Sequence, residues 1–345
     1  MRKIQFGKTG MKISSIGFGG IPVQRLTEEK AVSLIIDSVK LGINWIDTAN
    51  GYGTSEERVG KALKDSGIKG NLPHIFTKAG GRTPEELENQ VEESFSRLCV
   101  EYIDLYQFHI VPSPEKWQEM RQNGCLDLLK KYRDEGRIGH IGASAHKRPA
   151  VESLIKDPDI ESIQWPFNFM LGKDGTDILE KCVQAEKGFI AMKPFGGGVL
   201  EDASLCIGYM NVFEHVAADP GFESIDEVRE VIAVAESGRR PDKTDLARMK
   251  QLRDELGKSF CRRCGYCQPC PEGVSIVPLM TMESLIKRFA PDSVINGFAG
   301  EEAATADRCT ECGDCLQKCP YELAITTQIK KGKAAFDRLV SENDS

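Results

Sequence analysis

The chain has 345 residues, of which 40% are hydrophobic and 28% are charged, a balance typical of folded globular proteins. Its formal net charge is -7, so it lacks the basic surplus that nucleic acids and anionic membrane surfaces attract, and we expect neither as a partner. No apolar run approaches the roughly 20 residues of a membrane-spanning helix, and the first residues lack the apolar core of a signal peptide. We therefore expect a cytoplasmic protein.

Eight short apolar runs alternate with amphipathic stretches between residue 13 and about residue 236. In chain order the runs are ISSIGF, INWIDT, HIFTK, YIDLYQFH, RIGHIGAS, IESIQWP, GFIAMKP and EHVAAD. The stretch EELENQVEESFSRL repeats apolar residues at helical spacing, and Thr83 with Glu86 forms a capping box in front of it. Eight strand-then-helix units predict a (β/α)8 TIM barrel, preceded by a hairpin over MRKIQFGKTGMKIS at its bottom. The alternative is an open doubly wound sheet, although no G-x-G-x-x-G fingerprint opens a first helix.

Chemically active side chains follow the second, third and fourth of these runs. Asp47 and Lys78 end two runs, His109 ends the next, and Tyr52 lies just beyond Asp47. Each has an ordinary structural explanation when taken alone, but a barrel brings the ends of its strands to one mouth. Together they suit carbonyl reduction, because Lys78 would stabilise the phenolate of Tyr52 and Asp47 would hold Lys78 in place. A neutral His109 could donate a hydrogen bond to the carbonyl oxygen.

Residues 2 to about 236 resemble the aldo/keto reductases. The motifs that carry the resemblance are GKTG, GFGG, INWIDTANGYG, FTKAG with Lys78, His109, GHIGAS, Gln164 and DPGFESIDEVRE. The resemblance implies a barrel, NAD(P)H as the hydride donor, and Tyr52 as the general acid within a tetrad with Asp47, Lys78 and His109. It also implies a set of cofactor-binding positions: Gly19, Gly20, Ile21, Asp47, Ser144, Gln164, Met192, Lys193, Phe195, Gly221, Ser224 and Glu227.

The chain departs from the family's pattern where the cofactor would bind. Ala145 follows Ser144 where the family often has asparagine, and Met192 stands where a tyrosine usually stacks on the nicotinamide. Gly221 and Glu227 occupy the positions at which many members hold the 2′-phosphate of NADPH with lysine and arginine. Because a carboxylate disfavours a phosphate, we expect NADH to bind at least as well as NADPH. Glu227 also has a structural explanation, since Ser224 to Glu227 form a capping box.

Eight of the twelve cysteines fall in two groups of four, each followed by proline. The first group has x2-x2-x2 spacing and the second x2-x2-x3, and their members are Cys261, Cys264, Cys267, Cys270, Cys309, Cys312, Cys315 and Cys319. The second spacing is that of bacterial ferredoxins, so we predict two [4Fe–4S] clusters; two zinc sites, each with four cysteine ligands, are the alternative. In two-cluster ferredoxins the fourth cysteine of a run serves the other cluster, which predicts crossed ligand sets. The scattered cysteines, Cys99, Cys125, Cys182 and Cys206, are expected to be core residues.

These patterns divide the chain into four parts. We predict a barrel over residues 1–240, a linking helix over 241–257, a small, largely helical ferredoxin-like domain over 258–330 and a charged tail over 331–345. The tail is expected to be a solvated helix that frays towards its end. A barrel with such a module resembles a subgroup of the aldo/keto reductases.

The expected function is therefore an oxidoreductase that acts on a small carbonyl or alcohol substrate, with electrons passing through the clusters. Hydride transfer moves two electrons while a cluster passes one, so a flavin or a redox partner protein would stand between them. The alternative is an electron-transfer or assembly subunit whose barrel has lost catalysis. A purely structural role for the clusters is a further possibility.

Overall fold

The computed structural model describes residues 1–65 and 72–343. It divides into two units, the first made of Met1–Gly196 and Leu200–Arg240, the second of Gly197–Val199 and Pro241–Ser345. In the described ranges, none of the helices has both the length and the apolar composition needed to cross a membrane.

The first unit is built around eight parallel strands. They are β3 Phe18–Gly19, β4 Trp45–Asp47, β5 His74–Ala79, β6 Ile103–Phe108, β7 Ile138–Ser144, β8 Ser162–Pro166, β9 Gly188–Met192 and β10 Val216–Asp219. Each strand pairs with the next along the chain, and parallel bridges from Ile16 to Ala218 and from Gly19 to Gly221 join the first strand to the last. The predicted barrel is confirmed, and its closure excludes the open doubly wound sheet.

Helices follow the strands around the barrel. They are α1 Glu28–Lys40, α2 Ser55–Asp65, α3 Pro84–Leu98, α4 Pro114–Gln122, α5 Cys125–Asp134, α6 Arg148–Lys156, α7 Lys173–Gln184, α8 Ala203–Met210 and α9 Ile225–Ser237. The capping boxes expected before α3 and α9 are both present. In α3, Leu87, Val91 and Leu98 are fully buried, as the helical spacing predicts.

A hairpin closes the N-terminal end of the barrel, as expected. Its strands, β1 Lys3–Gln5 and β2 Lys12–Ser14, pair in antiparallel register. Phe6 of the hairpin stacks on Phe76 of β5 at 5.6 Å between ring centroids and packs with Trp45 in one buried cluster. Hydrophobic side chains therefore fill this end, which leaves the opposite end of the strands for the polar site.

The second unit is made of helices and loops in its described part. Its helices are α10 Lys243–Leu256, α11 Ile276–Met280, α12 Met282–Ile286, α13 Pro291–Ile295, α14 Phe298–Ala303, α15 Asp314–Lys318 and α16 Ile325–Asn343. The predicted linking helix corresponds to α10, and the largely helical character of the following region is confirmed.

The C-terminal residues differ from the expected solvated tail. Residues 331–343 belong to α16, in which Ile329, Ala335 and Leu339 are buried. A Cβ at Gly332 would lie 2.0 Å from the carbonyl oxygen of Leu279, so glycine lets α16 approach α11 closely. The expectation is corrected because one face of this charged helix is apolar and packs within the unit. Residues 344–345 lie outside the described ranges.

Candidate active site and cluster-binding cysteines

The four side chains predicted to form a tetrad meet at the C-terminal ends of three neighbouring strands. Asp47 is the last residue of β4, Lys78 lies near the end of β5, and His109 follows β6. Tyr52 lies in the loop between β4 and α2, three residues before the helix begins. The parallel pairing of these strands is what brings the side chains to one mouth.

A buried ion pair lies at the centre of the site. The Lys78 ammonium donates hydrogen bonds to Asp47 Oδ2 and to the carbonyl oxygen of Thr48, each at 2.6 Å. Both charged side chains are almost fully buried. Burial alone would lower the pKa of Lys78, but the Asp47 carboxylate and other neighbouring groups outweigh that effect and raise it. Lys78 is therefore a fixed cation that does not titrate near neutral pH.

Tyr52 and His109 lie beside this cation. Lys78 Nζ is 4.8 Å from the centroid of the Tyr52 ring, and the Tyr52 and His109 rings meet edge to face at 5.5 Å. Burial lowers the pKa of His109 well below its ordinary value, and the cations Lys78, Arg82 and Lys193 lower it further. The imidazole is thus neutral and keeps one N–H to donate.

Behind the tetrad, the buried Gln107 and Gln164 and the half-buried Asp219 form a network that sequence reasoning missed in part. Gln164 Nε2 donates to Asp219 Oδ2 at 3.0 Å and to Asp47 Oδ2 at 3.3 Å. Gln107 Nε2 donates to Gln164 Oε1 at 3.3 Å and lies 3.5 Å from Asp47 Oδ1. Asp219 and Gln107 were not foreseen, although each occupies the end of a barrel strand, where such residues are expected.

Asp219 adds a second carboxyl to a site with one buried lysine. Its Oδ1 is buried and has no donor among the described residues. Burial raises the pKa of Asp219 well above its ordinary value, and the nearby Asp47 carboxylate raises it further. This direction favours protonation of Asp219, which lies beside the Asp47–Lys78 ion pair.

Ser144 and Gln164, which the family resemblance assigns to the nicotinamide, already make hydrogen bonds within the protein. Ser144 Oγ accepts from the backbone N–H of Ile110 at 2.8 Å and contacts the carbonyl oxygen of Phe108 at 3.4 Å. Gln164 is committed to the network with Asp47 and Asp219. Each oxygen still has a lone pair to offer, so a carboxamide donor could be accommodated.

The glycines at the start of the barrel are required by close packing. A Cβ on Gly19 would lie 2.8 Å from Asp219 Oδ1, and one on Gly20 would lie 2.8 Å from Ser55 Oγ. Gly221, which bridges to Gly19, has Pro22 against it in the same way, with 2.6 Å to Pro22 Cγ. Larger residues at these three positions would clash with their neighbours, and Ile21, which follows Gly20, is half-buried.

The residues after β9 place a second cation at the mouth. Lys193 has a positive φ of 58°, and its ammonium contacts His146 Nε2 and, at 3.8 Å, Met192 Sδ. Met192, Lys193 and Phe195 are all half-buried. Arg82 lies near His109 as well and donates to the carbonyl oxygens of His109 and Ile110. His146 and Arg82 were not among the residues expected from the sequence.

The start of α9 is acidic and already capped. Glu227 accepts hydrogen bonds from the backbone N–H groups of Glu223 at 2.7 Å and Ser224 at 3.2 Å, and Ser224 Oγ accepts from Glu227 N. Glu223 lies 3.4 Å from Arg25. The structural explanation for Glu227 is thus correct, because its carboxylate caps the start of α9.

The eight clustered cysteines line two cavities within the second unit. The first cavity is lined by Cys261, Cys264, Cys267 and Cys319. The second is lined by Cys270, Cys309, Cys312 and Cys315, with Cys267 at the border of both. The last cysteine of each run therefore lies with the other run, as the crossed arrangement requires.

This donor set fits iron–sulfur clusters. Each cavity has its own set of four thiols, with Cys267 also at the border of the second. The backbone N–H of Arg263 already donates to Cys261 Sγ at 3.4 Å, a contact that would stabilise a thiolate. Throughout residues 1–65 and 72–343, no three or more histidine, cysteine, aspartate or glutamate side chains are gathered into a site for a single metal ion. When bound, a cluster supplies one-electron chemistry at each set of four cysteines.

Of the four scattered cysteines, three are buried and one is exposed. Cys125, Cys182 and Cys206 are buried, and burial raises the pKa of all three thiols, that of Cys182 to about 12. They are core residues, as expected. Cys99 is exposed and ends α3 in a left-handed conformation, so its assignment to the core was wrong.

Comparison with known proteins agrees with both halves of this description. The aldo/keto reductase family model matches residues 15–247, and a 4Fe-4S dicluster domain model matches residues 260–324. The uncharacterized oxidoreductase YqkF of Bacillus subtilis (strain 168) is 26% identical over 249 residues, or 67% of this chain and 77% of that protein.

Two further proteins extend the comparison. The NADH-specific methylglyoxal reductase of Escherichia coli (strain K12) is 29% identical over 212 residues, covering 53% of this chain and 64% of that protein, less than two thirds of its length. An aldo-keto reductase from Bacillus halodurans in its holo form shares the fold, with a TM-score of 0.62 and 22% identity over 73% of this chain and 96% of that one. Since the first family match alone spans more than half of the sequence, the chain belongs to the aldo/keto reductase family of oxidoreductases and carries a 4Fe-4S dicluster domain.

Proposed function

We propose that the barrel reduces a small carbonyl compound with hydride from NAD(P)H and a proton from Tyr52. The observation that carries the proposal is the arrangement of Asp47, Lys78, Tyr52 and His109 around one mouth. A bound nicotinamide supplies the hydride that forms the new C–H bond at the carbonyl carbon. Tyr52 donates its phenolic proton to the carbonyl oxygen, and the product is the alcohol.

The remaining residues prepare this proton transfer. Lys78 lies close enough to stabilise the phenolate that Tyr52 becomes, and Asp47 holds Lys78 at 2.6 Å. His109 is neutral and donates a hydrogen bond that orients the carbonyl oxygen and stabilises the charge developing on it. Asp219, by keeping its proton, leaves the Asp47–Lys78 pair without a competing carboxylate.

We propose that NADH binds at least as well as NADPH. Glu223 and Glu227 stand at the start of α9, where a 2′-phosphate would meet two carboxylates. The Escherichia coli relative is named as NADH-specific, which supports the same preference here. Ser144 and Gln164 would hold the carboxamide, and Gly19, Gly20, Ile21, Met192, Lys193, Phe195, Gly221 and Ser224 would border the cofactor.

The cysteines are proposed to hold two [4Fe–4S] clusters that pass single electrons. The crossed sets of four around two cavities support this assignment over zinc, because each run of cysteines contributes to both cavities. A flavin or a redox partner protein would convert between hydride and single electrons. Cysteine ligands must stay reduced, and we therefore propose a cytoplasmic location. The proposal also keeps the predicted domain boundaries, with the barrel ending at residue 240, the linking helix at 257 and the ferredoxin-like domain at 330.

The second candidate is an electron-transfer or assembly subunit without carbonyl chemistry. The observation that favours it is that Gln164 Nε2 already donates to both Asp47 and Asp219, so its N–H groups are not available to a nicotinamide carboxamide. The intact tetrad opposes this alternative. In such a subunit the second unit would dock a partner protein, and the barrel would bind neither nucleotide.

One experiment separates the two candidates. Protein purified without oxygen is analysed for iron and flavin, and its visible spectrum is recorded before and after NADH, NADPH and dithionite. The same preparation is then assayed against small aldehydes, quinones and 2-oxoaldehydes such as methylglyoxal, the substrate named for a relative. Nucleotide-dependent reduction of any of these supports the reductase; clusters reducible by dithionite with no nucleotide binding support the electron-transfer subunit.

A further inference from the structure

The two cysteine cavities differ in the charge of their walls. Arg262 is the charged residue that lines the first cavity, with Cys261, Cys264, Cys267 and Cys319. The second cavity is lined by the carboxylates of Glu272, Glu311 and Asp314 and by none of the described cations. A bound cluster would therefore meet a positive charge in one cavity and negative charges in the other.

Arg262 lines the first cavity and has one buried N–H group without a hydrogen-bond acceptor among the described residues. Its guanidinium lies 3.9 Å from the ring centroid of Tyr321, which lines the same cavity. Its Nη1 is buried and has no hydrogen-bond partner among the described residues. A buried guanidinium N–H without an acceptor is costly, and a thiolate or sulfide in this cavity would satisfy it.

The walls of the second cavity retain negative charge. Glu311 is paired with Lys330 at 2.5 Å, and this ion pair offsets one of the three carboxylates that line the cavity. Glu272 and Asp314 are exposed, so solvent screens them more than it screens the buried nitrogen of Arg262. Arg262 thus gives the wall of the first cavity a positive charge that the wall of the second lacks, and Arg263, which lies near enough to Cys261 to interact with it electrostatically, adds to the positive charge there.

We propose that Arg262 makes the cluster in the first cavity the easier of the two to reduce. Reduction adds one negative charge to a cluster, so a nearby cation and a hydrogen-bond donor to sulfur stabilise the reduced form, while carboxylates disfavour it. With clusters bound in both cavities, one electron would then pass from the reduced cluster of the second cavity to the oxidised cluster of the first, with no bond or proton changed. This inference rests on the proposed pair of [4Fe–4S] clusters and assigns their order.

The test is a potentiometric titration of the anaerobic protein, followed by electron paramagnetic resonance. The wild type should show two separate one-electron steps. Arg262→Gln removes the charge and should shift the higher potential to a more negative value and leave the lower one in place. Lys318→Gln is the matched control, because Lys318 is an exposed cation next to Cys319 that does not line the cavity, and it should cause a smaller shift.

Several results would overturn the assignment. A single step for both clusters in the wild type, an unchanged higher potential in Arg262→Gln, or a shift of the lower potential would each do so. If Arg262→Gln does not retain clusters, Arg262→Lys takes its place because it keeps the positive charge. The cluster in the first cavity should then still have the higher potential, and a reversed order of the two potentials would refute the assignment. Iron analysis of the same samples shows separately whether the clusters are bound. A protein without clusters would contradict the proposed function, whereas a protein with clusters but the wrong order of potentials would contradict only this inference.

Discussion

Replacing Asp219 by asparagine should stabilise the barrel at neutral pH. Asp219 should keep its proton to a higher pH in the folded state than in the unfolded chain, because burial and the Asp47 carboxylate raise its pKa well above the ordinary value. In the unfolded chain the same group ionises at its ordinary pKa of about 3.9. Asparagine has nearly the same shape and is always neutral. Its amide oxygen can still accept from Gln164, and its amide N–H can donate towards Asp47.

The magnitude follows from proton linkage. An acid whose folded-state pKa is raised contributes stability that is fully present below its unfolded pKa and is lost as pH rises towards the folded pKa. The wild type therefore loses about 1.4 kcal/mol of unfolding free energy per pH unit from this group, starting near pH 4. Asp219→Asn removes that loss, so its advantage should grow by about 1.4 kcal/mol per pH unit and level off once Asp219 ionises in the fold.

Urea unfolding at a series of pH values from about 4.5 to 8.5, followed by tryptophan fluorescence, would measure this difference. All three tryptophans, Trp45, Trp117 and Trp165, are buried in the barrel, so their emission reports on that unit. Asp226→Asn is the control, because it makes the same chemical change at an exposed position on α9 outside the buried network. If Asp219→Asn is no more stable than wild type at pH 8, or differs from it equally at every pH, Asp219 is ionised in the fold and the network is described wrongly.

The remaining predictions concern the metal, the nucleotide and the buried lysine. Anaerobically purified protein should contain about eight iron atoms per chain, since two cubanes hold four each, whereas zinc without broad visible absorbance would contradict the cluster assignment. Calorimetric titration should show NADH binding at least as tightly as NADPH, and strong selectivity for NADPH would show that Glu227 does not meet the 2′-phosphate. Lys78→Met should reduce carbonyl turnover by about 10². It should also destabilise the barrel by about 3–5 kcal/mol, because Asp47 is left buried without its partner; activity is therefore expressed per folded protein, and undiminished turnover would remove Lys78 from the mechanism.

Much of the site could be predicted from the sequence because parallel strands end together. Asp47, Lys78 and His109 each follow a recognisable apolar run, and once the runs are taken as barrel strands, their ends must converge. The crossed cysteine sets were accessible for a similar reason, since their spacing reflects the shape of a cubane.

The parts that were missed depend on information that spacing does not carry. Asp219 reads as the start of a D-P-G turn, and its approach to Asp47 depends on barrel closure between the first and last strands. Residues 331–345 were expected to be solvated because charged residues outnumber apolar ones in that segment. Ile325, Ile329, Ala335 and Leu339 nevertheless form one apolar face, which a search for helical periodicity in that segment would have found.

The replacement of Tyr52 by phenylalanine tests the central claim most directly. It removes the proton assigned to the carbonyl oxygen and leaves the ring to pack against His109 and Lys78. Tyr102→Phe is the matched control, since Tyr102 is a tyrosine with 47% of its surface exposed that takes no part in the site. With a substrate that the wild type reduces, Tyr52→Phe should lower the rate by about 10² or more, while Tyr102→Phe and the iron content of both variants stay at the wild-type level. Equal reduction by Tyr52→Phe and wild type would show that Tyr52 is not the acid and that the chain shares the family's fold without its chemistry.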